Sequence, residues 1–280
     1  MTASQSQALG QIAVEDVGNI VAMEHVNLWV PDMGLATAFY IVGMGFTRDP
    51  FHVVGPDAMW VNVGRQQFHL PARGVQVIPG HAGVVVKDLD ALERRLGGVR
   101  KKLAGTQFAF AREADHVAVT SPWGNRLHCR APDPQAFGRM TLGIPYVEFL
   151  VRPGTAQGIG RFYEKVFGVG TATESDGDLA VTRVEVGDTQ WLLFRETAEP
   201  IPAYDGHHIA IYANRVSGAY GFLQARGLIM EEMVRHQFRF KDIVDPETGE
   251  LLLQLEHEVR SMRHPMYHRE LVNRDPDQGP

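Results

Sequence analysis

The stretch MEHVNLWVPDMGLATAFYIVGMGF, residues 23–46, has the pattern of a short apolar strand followed by an amphipathic helix. The stretch DAMWVNVGRQQFHL, residues 57–70, has the pattern of two strands joined by a turn. Apolar residues at alternate positions predict strands, and apolar residues three and four apart predict a helix. The region is therefore predicted to form a βαβββ unit, which is too short to bury a face of its own sheet.

The same pattern occurs three more times along the chain. The repeats are GHAGVVVKDLDALERRLGG (80–98) with HVAVTSPWGNRLHCR (116–130), IPYVEFLVRPGTAQGIGRFYEKVFGVG (144–170) with LAVTRVEVGDTQWLLFRE (179–196), and GHHIAIYANRVSGAYGFLQARGL (206–228) with FRFKDIVDPETGELLLQLEHE (238–258). Pairing two units covers the apolar faces that each leaves open. We predict an α+β fold in which four βαβββ units pair consecutively into two half-open barrel domains.

The Pro-rich stretch APDPQAFGRMTLG, residues 131–143, is expected to join the two barrels. The predicted organisation is an N-terminal arm (1–20), a metal-binding domain (21–132), a second domain (142–258) and a C-terminal arm (259–280). Helices are predicted where apolar residues recur three and four apart. These residues are Leu35, Ala38, Phe39 and Val42 before Gly43, and Ile159, Phe162, Tyr163, Val166 and Phe167 before Gly168.

Composition limits the classes of partner. The chain has 280 residues and a net charge of −6, with 44% hydrophobic and 21% charged residues. An acidic chain has no counter-charge for nucleic acid or an anionic membrane, so neither is expected as a partner. No apolar run reaches the roughly 20 residues of a membrane span, and no secretory signal is apparent. The single cysteine, Cys129, excludes an intrachain disulfide and favours a cytoplasmic location.

Histidines recur at matched places in the four units. At the same distance from the last core position, the opening strands carry His25, His81, Tyr146 and His208. At matching distances from the turn glycine, the closing strands carry His69, His128, Leu192 and Leu253. The first two units therefore have histidine at all four places.

Four imidazoles at the mouth of one barrel would form a divalent transition-metal site. We predict His25, His69, His81 and His128 as the metal ligands, with Fe(II) favoured and Zn, Ni, Co or Mn as alternatives. Neutral ligands leave the full charge on the ion, so a proton acceptor has to come from the pocket wall. His116 and His52 are the candidates for that catalytic role. His236, His257, His264 and His268 lie outside this register, and no role is predicted for them.

The ordered motifs resemble the vicinal oxygen chelate superfamily, which includes glyoxalase I, extradiol ring-cleaving dioxygenases and fosfomycin- and bleomycin-resistance proteins. The resemblance covers residues 22–258 and is carried by HVNLWVPDMGLATAFY, GMGF, GHAGVVVKDLDAL, SPWGNRLH, RFYEKVFG, GHHIAIY and DPETGELLL. It implies metal ligands on the first and last strands of paired units, which by position are His25, His69, His81 and His128. Family sites usually contain a glutamate, at the places that His69 and His128 occupy here. Two-domain dioxygenases usually keep the metal in the second half of the chain.

A rearranged pairing of the first unit with the fourth, seen in some relatives, would bring His25 and His208 together. Glu256 is then the nearest carboxylate, three residues beyond Leu253. An odd offset in a strand reverses the face, so without a bulge Glu256 would point away from the site. This argument disfavours the rearranged pairing.

The resemblance implies several functions. The favoured one is a non-haem metal-dependent dioxygenase, an extradiol-type ring-cleaving or related C–C-cleaving oxidoreductase acting on a small aromatic or enolisable substrate. One alternative is a glyoxalase-like isomerase or lyase that does not use O2, and another is a non-catalytic protein that binds a small molecule. A cytoplasmic homodimer with a small-molecule substrate is expected.

Overall fold

The computed structural model describes residues 16–52 and 55–275. The strands in these residues are β1 (Ile20–Asn27), β2 (Thr47–Arg48), β3 (Ala58–Val63), β4 (Gln66–Pro71), β5 (Gly80–Val85), β6 (Ala109–Arg112), β7 (Val117–Thr120), β8 (Arg126–Arg130), β9 (Gly143–Val151), β10 (Thr171–Asp176), β11 (Leu179–Glu185), β12 (Trp191–Glu196), β13 (His208–Ala213), β14 (Ile229–Val234), β15 (Gln237–Val244) and β16 (Leu251–Ser261). They form two mixed sheets of eight strands each. With one helix after the first strand of each unit, the four βαβββ units and the α+β class are confirmed.

The units do not pair in the order of the chain. The first sheet has the order β14-β15-β16-β13-β1-β4-β3-β2, and the second has the order β10-β11-β12-β9-β5-β8-β7-β6. The central antiparallel pairs are β1 with β13 and β5 with β9. The first unit is therefore joined to the fourth, and the second to the third. The prediction that the first unit pairs with the second, and the third with the fourth, is wrong, and each sheet draws on both predicted domains, 21–132 and 142–258.

Two glycines of β5 allow a close approach of β9. A Cβ on Gly80 would lie 1.9 Å from the carbonyl oxygen of Glu148, and a Cβ on Gly83 would lie 2.2 Å from the ring of Tyr146. Glycine at these places lets the two strands approach and lets the Tyr146 ring lie over β5. Such a fit between distant strands leaves no trace in the hydrophobic pattern of either strand, so the pattern did not reveal the pairing.

The helices are α1 (Met33–Ala36), which continues as a π-helix (Thr37–Gly43), α2 (Leu89–Val99), α3 (Pro134–Phe137), α4 (Ala156–Phe167) and α5 (Val216–Gln224). The apolar face predicted for α4 is confirmed, because its five predicted residues are buried and Gly168 ends the helix with a φ of 60°. The first helix differs from the prediction. Its wider π-turn buries Phe39, Tyr40 and Gly43 but leaves Val42 53% exposed. No helix in the described part of the chain is long and apolar enough to span a bilayer.

Each sheet has an apolar face and a polar face. In β16, His257 and Val259 are buried on the apolar side, where Tyr163 of α4 lies 2.6 Å from Nε2 of His257. Glu256 and Glu258 alternate with them and therefore lie on the other face. The polar face is the one that carries the histidines of interest.

A C-terminal arm, residues 262–275, crosses from the fourth unit to the first. Arg269 forms an ion pair of 2.6 Å with Asp49, and the Asn273 side chain hydrogen-bonds both the N–H and the carbonyl of Gly64. The first three residues of the predicted arm, 259–261, belong to β16. Residues 276–280, and residues 1–15 of the predicted N-terminal arm, lie outside the described residues.

Candidate metal centre

The four histidines predicted to share one ion lie in two different sheets. His25 on β1 and His69 on β4 belong to the first sheet, with ring centroids 5.9 Å apart. His81 on β5 and His128 on β8 belong to the second sheet, with ring centroids 3.7 Å apart. The structure brings each pair together but not the four. The reason is that the first two units lie in different sheets, whereas the prediction placed them in one.

His25 instead meets two residues of the fourth unit. Ligand atoms of His25, His208 on β13 and Glu258 on β16 all lie within 4.8 Å of one another, and all three residues are buried. The two imidazole rings are 5.7 Å apart. Two imidazoles and a carboxylate at this spacing match the donor set of a divalent transition-metal site. No second group of this kind occurs in the residues that the structure describes.

His69 is the fourth member of the cluster by position. His69 on β4 and Glu258 on β16 each lie two residues beyond the strand partner of a histidine, His25 in one case and His208 in the other. The two residues therefore occupy equivalent places in the paired units. The cluster thus has one residue on each of the four central strands of the first sheet.

Two nitrogens of the cluster are buried without a hydrogen-bond partner in the described chain. They are Nε2 of His25 and Nε2 of His208. Nδ1 of His25 lies 2.9 Å from the Glu24 carboxylate, so a neutral His25 donates from Nδ1 and keeps its lone pair on Nε2. An unpartnered buried polar atom is costly, and native structures rarely contain one. A metal ion between these nitrogens and Glu258 would satisfy them, so the residues present fit a metal.

The protonation states also suit a metal. Burial, reinforced by Arg260 for His25 and by His25 for His208, holds the pKa of each imidazole well below its ordinary value. Burial, followed by the charge of His52, lowers the pKa of His69 to about 3. Burial alone would raise the pKa of Glu258, but Arg260 and His25 lower it overall. Neutral imidazoles and an ionised carboxylate are the forms that bind metal.

Arg260 connects the two sides of the cluster. Its Nη1 contacts Glu24, and its Nε lies 2.5 Å from Oε1 of Glu258. The Tyr212 hydroxyl donates a hydrogen bond of 3.0 Å to Glu24. Because Glu24 orients His25, one buried guanidinium positions both a histidine and a carboxylate of the candidate site.

An aromatic wall borders the cluster. The Trp60 ring stacks on His69 at 4.0 Å and on His52 at 4.7 Å, and it meets His25 edge-on at 5.0 Å. His52, a predicted catalytic residue, therefore lies one ring away from the cluster. Burial, followed by the charge of Arg269, lowers the pKa of His52.

The other predicted catalytic residue, His116, lies in the second sheet. Its ring is 4.3 Å from His128, and its Nδ1 is 2.7 Å from Asp115. His81 contacts Tyr146 at 3.3 Å and Glu148 at 3.4 Å. The rings of His81, His128 and His116 thus lie in a row, in a different sheet from the cluster that contains His25.

Glu258 was not among the residues predicted from the sequence, and Glu256 was predicted to point away from the site. The pairing of β16 with β15 shifts register between Gln254 and His257, so the offset from Leu253, which was counted along a regular strand, does not turn Glu256 away from the site. Glu256 lies beside His208, with Oε1 3.7 Å from Nδ1. The alternation in QLEHEVR, residues 254–260, was the signal that could have identified the polar face of this strand.

The chain matches no family model and no curated protein. Among solved structures it is similar to glyoxalase I from Zea mays, with a TM-score of 0.61 and 15% identity over 89% of this chain and 97% of that chain. It is also similar to a dioxygenase candidate from Bacillus subtilis, with a TM-score of 0.57 and 17% identity over 91% of this chain and 89% of that chain.

These similarities and the four observed units show that the chain has the vicinal oxygen chelate fold. The two sheets of two units each are the two-domain form of that fold. The resemblance inferred from the motifs is thus confirmed at the level of the fold.

Proposed function

We propose that this chain is a metal-dependent enzyme acting on a small substrate that chelates through oxygen. The observation that carries the proposal is the buried group of His25, His208 and Glu258, whose two Nε2 atoms have no partner in the described chain. His69 borders this group at the fourth equivalent strand position but is not one of the three proposed ligands. In this proposal His208 and Glu258 take the roles that the sequence argument gave to His81 and His128.

The reaction that we favour is an extradiol-type or related C–C cleavage with O2. Two histidines and one carboxylate, with the remaining positions open, form the ligand set of non-haem Fe(II) oxygenases. Fe(II) is therefore the ion that we propose. When bound, such an ion supplies a Lewis acid for the substrate oxygens and a centre for O2 chemistry.

The side chains around the site have distinct roles in this proposal. Glu24 orients His25, and Arg260 holds Glu24 and Glu258 in place. Trp60 stacks on both His69 and His52, and its buried Nε1–H has no partner in the described chain, which suits a substrate with an acceptor oxygen. His52, partly exposed at the end of the stack, would accept a proton from the substrate. His116 has no role at this site because it lies in the other sheet.

A glyoxalase-like isomerase or lyase is the second candidate. The observation in its favour is that the similarity to glyoxalase I covers nearly the whole of both chains. Such a reaction needs a Lewis acid and a proton acceptor but no O2. The composition favours a cytoplasmic location for the protein. The predicted homodimer can be tested by light scattering.

Metal analysis tests the site itself. We expect protein purified without added metal to retain a divalent ion, and His25→Ala, His208→Ala and Glu258→Gln to lose it. The matched control is His81→Ala, which removes a histidine at the corresponding strand position of the second sheet. If His81→Ala lost the metal and His208→Ala kept it, the result would contradict this site. It would instead support the ligands predicted from the sequence, which are His25, His69, His81 and His128.

Oxygen consumption separates the two reactions. The Fe(II)-loaded protein is mixed with a panel of catechols in an oxygen electrode, and with hemithioacetals in an absorbance assay. O2 uptake with a catechol, lost in Glu258→Gln, supports the dioxygenase. Hemithioacetal conversion without O2 uptake supports the isomerase, and inactivity in both assays with tight ligand binding supports a binding protein.

A further inference from the structure

Arg239 contacts the carboxylate of Glu258, and its side chain is partly exposed to solvent. It lies on β15 directly opposite Glu258 in the strand register. Its Nη2 contacts Oε2 of Glu258, and its Nη1 lies 2.5 Å from Oε1 of Glu256. The guanidinium therefore bridges two carboxylates on the polar face of β16.

The oxygen that Arg239 contacts is the one that a metal would take. Oε2 of Glu258 lies 4.0 Å from the unpartnered Nε2 of His208. The other oxygen, Oε1, is already held by Arg260. A divalent ion next to His208 would thus compete with Arg239 for the same carboxylate oxygen.

Of the two arginines that contact Glu258, Arg239 is the one that can move away from it. The Arg260 side chain is 7% exposed and also holds Glu24, so its movement would leave buried carboxylates unpaired. The Arg239 side chain is 22% exposed, and its Nε lies 3.1 Å from the exposed residue Glu231. A guanidinium close to a divalent ion is repelled by it, and Arg239 has other carboxylates to contact.

We propose that Arg239 is the counter-ion of Glu258 until a divalent ion takes that carboxylate, and that it then binds a carboxylate group of the substrate. The inference rests on the proposed metal-dependent function. Release of Glu258 frees Nη2 while Nη1 still contacts Glu256, so Nη2 donates a charge-assisted hydrogen bond to the substrate carboxylate. The substrate class is therefore narrowed to small oxygen chelators that also carry a carboxylate.

Calorimetric titration with Zn²⁺ tests the competition. We expect Arg239→Gln to bind Zn²⁺ at least about tenfold more tightly than the parent protein, because the competing charge is gone. Arg239→Lys keeps a charge and is expected to bind Zn²⁺ within about threefold of the parent. The matched control is Arg195→Gln, which removes an arginine paired with Glu148 in the second sheet and is expected to change nothing.

Titration of the Zn²⁺-loaded proteins with benzoate tests the carboxylate site. We expect Arg239→Gln to bind benzoate at least about tenfold more weakly than the parent, and Arg195→Gln to match the parent. Unchanged Zn²⁺ affinity in Arg239→Gln, or unchanged benzoate affinity, would each overturn the inference. If Zn²⁺ binds equally well to His25→Ala and Glu258→Gln, the proposed function itself fails, which is a distinguishable result.

Discussion

At the scale of single residues, the chemistry of His25 is set by its neighbours rather than by its own type. Glu24 takes the proton-bearing Nδ1, and burial keeps the ring neutral, so Nε2 remains as a ligand. His81 lies at the corresponding strand position of the second sheet, but both of its nitrogens contact a neighbouring side chain, Tyr146 or Glu148. The same residue type at the same strand position therefore has a different environment in each sheet.

Removing the carboxylate that orients His25 should weaken metal binding. We expect Glu24→Gln to raise the Kd for Zn²⁺ by about 10- to 100-fold, because the hydrogen bond that fixes the ring becomes weaker. Calorimetry measures the effect. Glu148→Gln, which alters the carboxylate beside His81, is the control and should leave the Kd unchanged. An equal loss in both variants would show a general effect of removing a buried carboxylate.

Protonation of His128 in the second sheet should lower stability in acid. Burial, followed by the charges of His81 and His116, lowers the pKa of His128 from 6.5 to about 4. The unfolded chain therefore binds more protons between these values, and stability falls as pH drops from 6.5 towards 4. We expect the free energy of unfolding of the parent to fall between pH 7 and pH 5 by about 1 kcal/mol more than that of His128→Asn. This figure includes a reduction for solvent screening. Urea unfolding at the two pH values measures the difference, and equal losses would contradict it.

At the scale of elements, the strand pairs depend on small residues that face large ones. Gly83 of β5 provides the space for the Tyr146 ring of β9, and β16 alternates core residues with Glu256 and Glu258. The first feature lets β5 and β9 approach closely, and the second determines which side chains of β16 enter the site.

A side chain at Gly83 should therefore destabilise the second sheet. We expect Gly83→Ala to lower the free energy of unfolding by about 2–3 kcal/mol, because its Cβ would overlap the Tyr146 ring. Thermal and urea unfolding measure it. The control is Gly97→Ala in α2, where a Cβ meets no atom within 4 Å and alanine should stabilise the helix by about 0.5–1 kcal/mol. If Gly83→Ala left the free energy of unfolding unchanged, β5 and β9 would not be packed as closely as described.

At the scale of the whole molecule, the C-terminal arm ties the fourth unit to the first. Asp49 is buried, and although burial raises its pKa, Arg269 and the backbone N–H groups of His52 and Phe51 lower it to about 2. Asp49 also accepts a hydrogen bond from Gln67 on β4, so the arm is connected to the strand that carries His69.

Loss of the arm's ion pair should destabilise the protein. We expect Arg269→Ala to lower the free energy of unfolding by about 2–3 kcal/mol, because it leaves the buried Asp49 carboxylate without its guanidinium partner. Lys87→Ala is the control, since the Lys87 side chain is 71% exposed and its ion pair with Asp275 should contribute less than about 1 kcal/mol. Equal effects of the two variants in urea unfolding would contradict the structural role of the buried pair.

The periodic parts of the fold were predictable from sequence. The apolar spacing of α4 and the alternation of the strands reflect contacts between each element and the core, so they appear in the local pattern. Val42 was misassigned because a π-turn moves the buried face, and nothing in the apolar spacing distinguishes a π-turn from an α-turn. Two of the four residues of the candidate site, His25 and His69, were identified from the repeat register alone.

The sequence by itself determined the four βαβββ units, the positions of the helices and the strands that carry histidine, because these depend on the burial of one face of each element. The tertiary structure alone decided that the first unit joins the fourth, and so that His25 and His69 meet His208 and Glu258 rather than His81 and His128. That choice depends on how distant strand edges fit together, as Gly80 and Gly83 fit against β9. A pattern read along one strand does not contain the shape of the strand beside it.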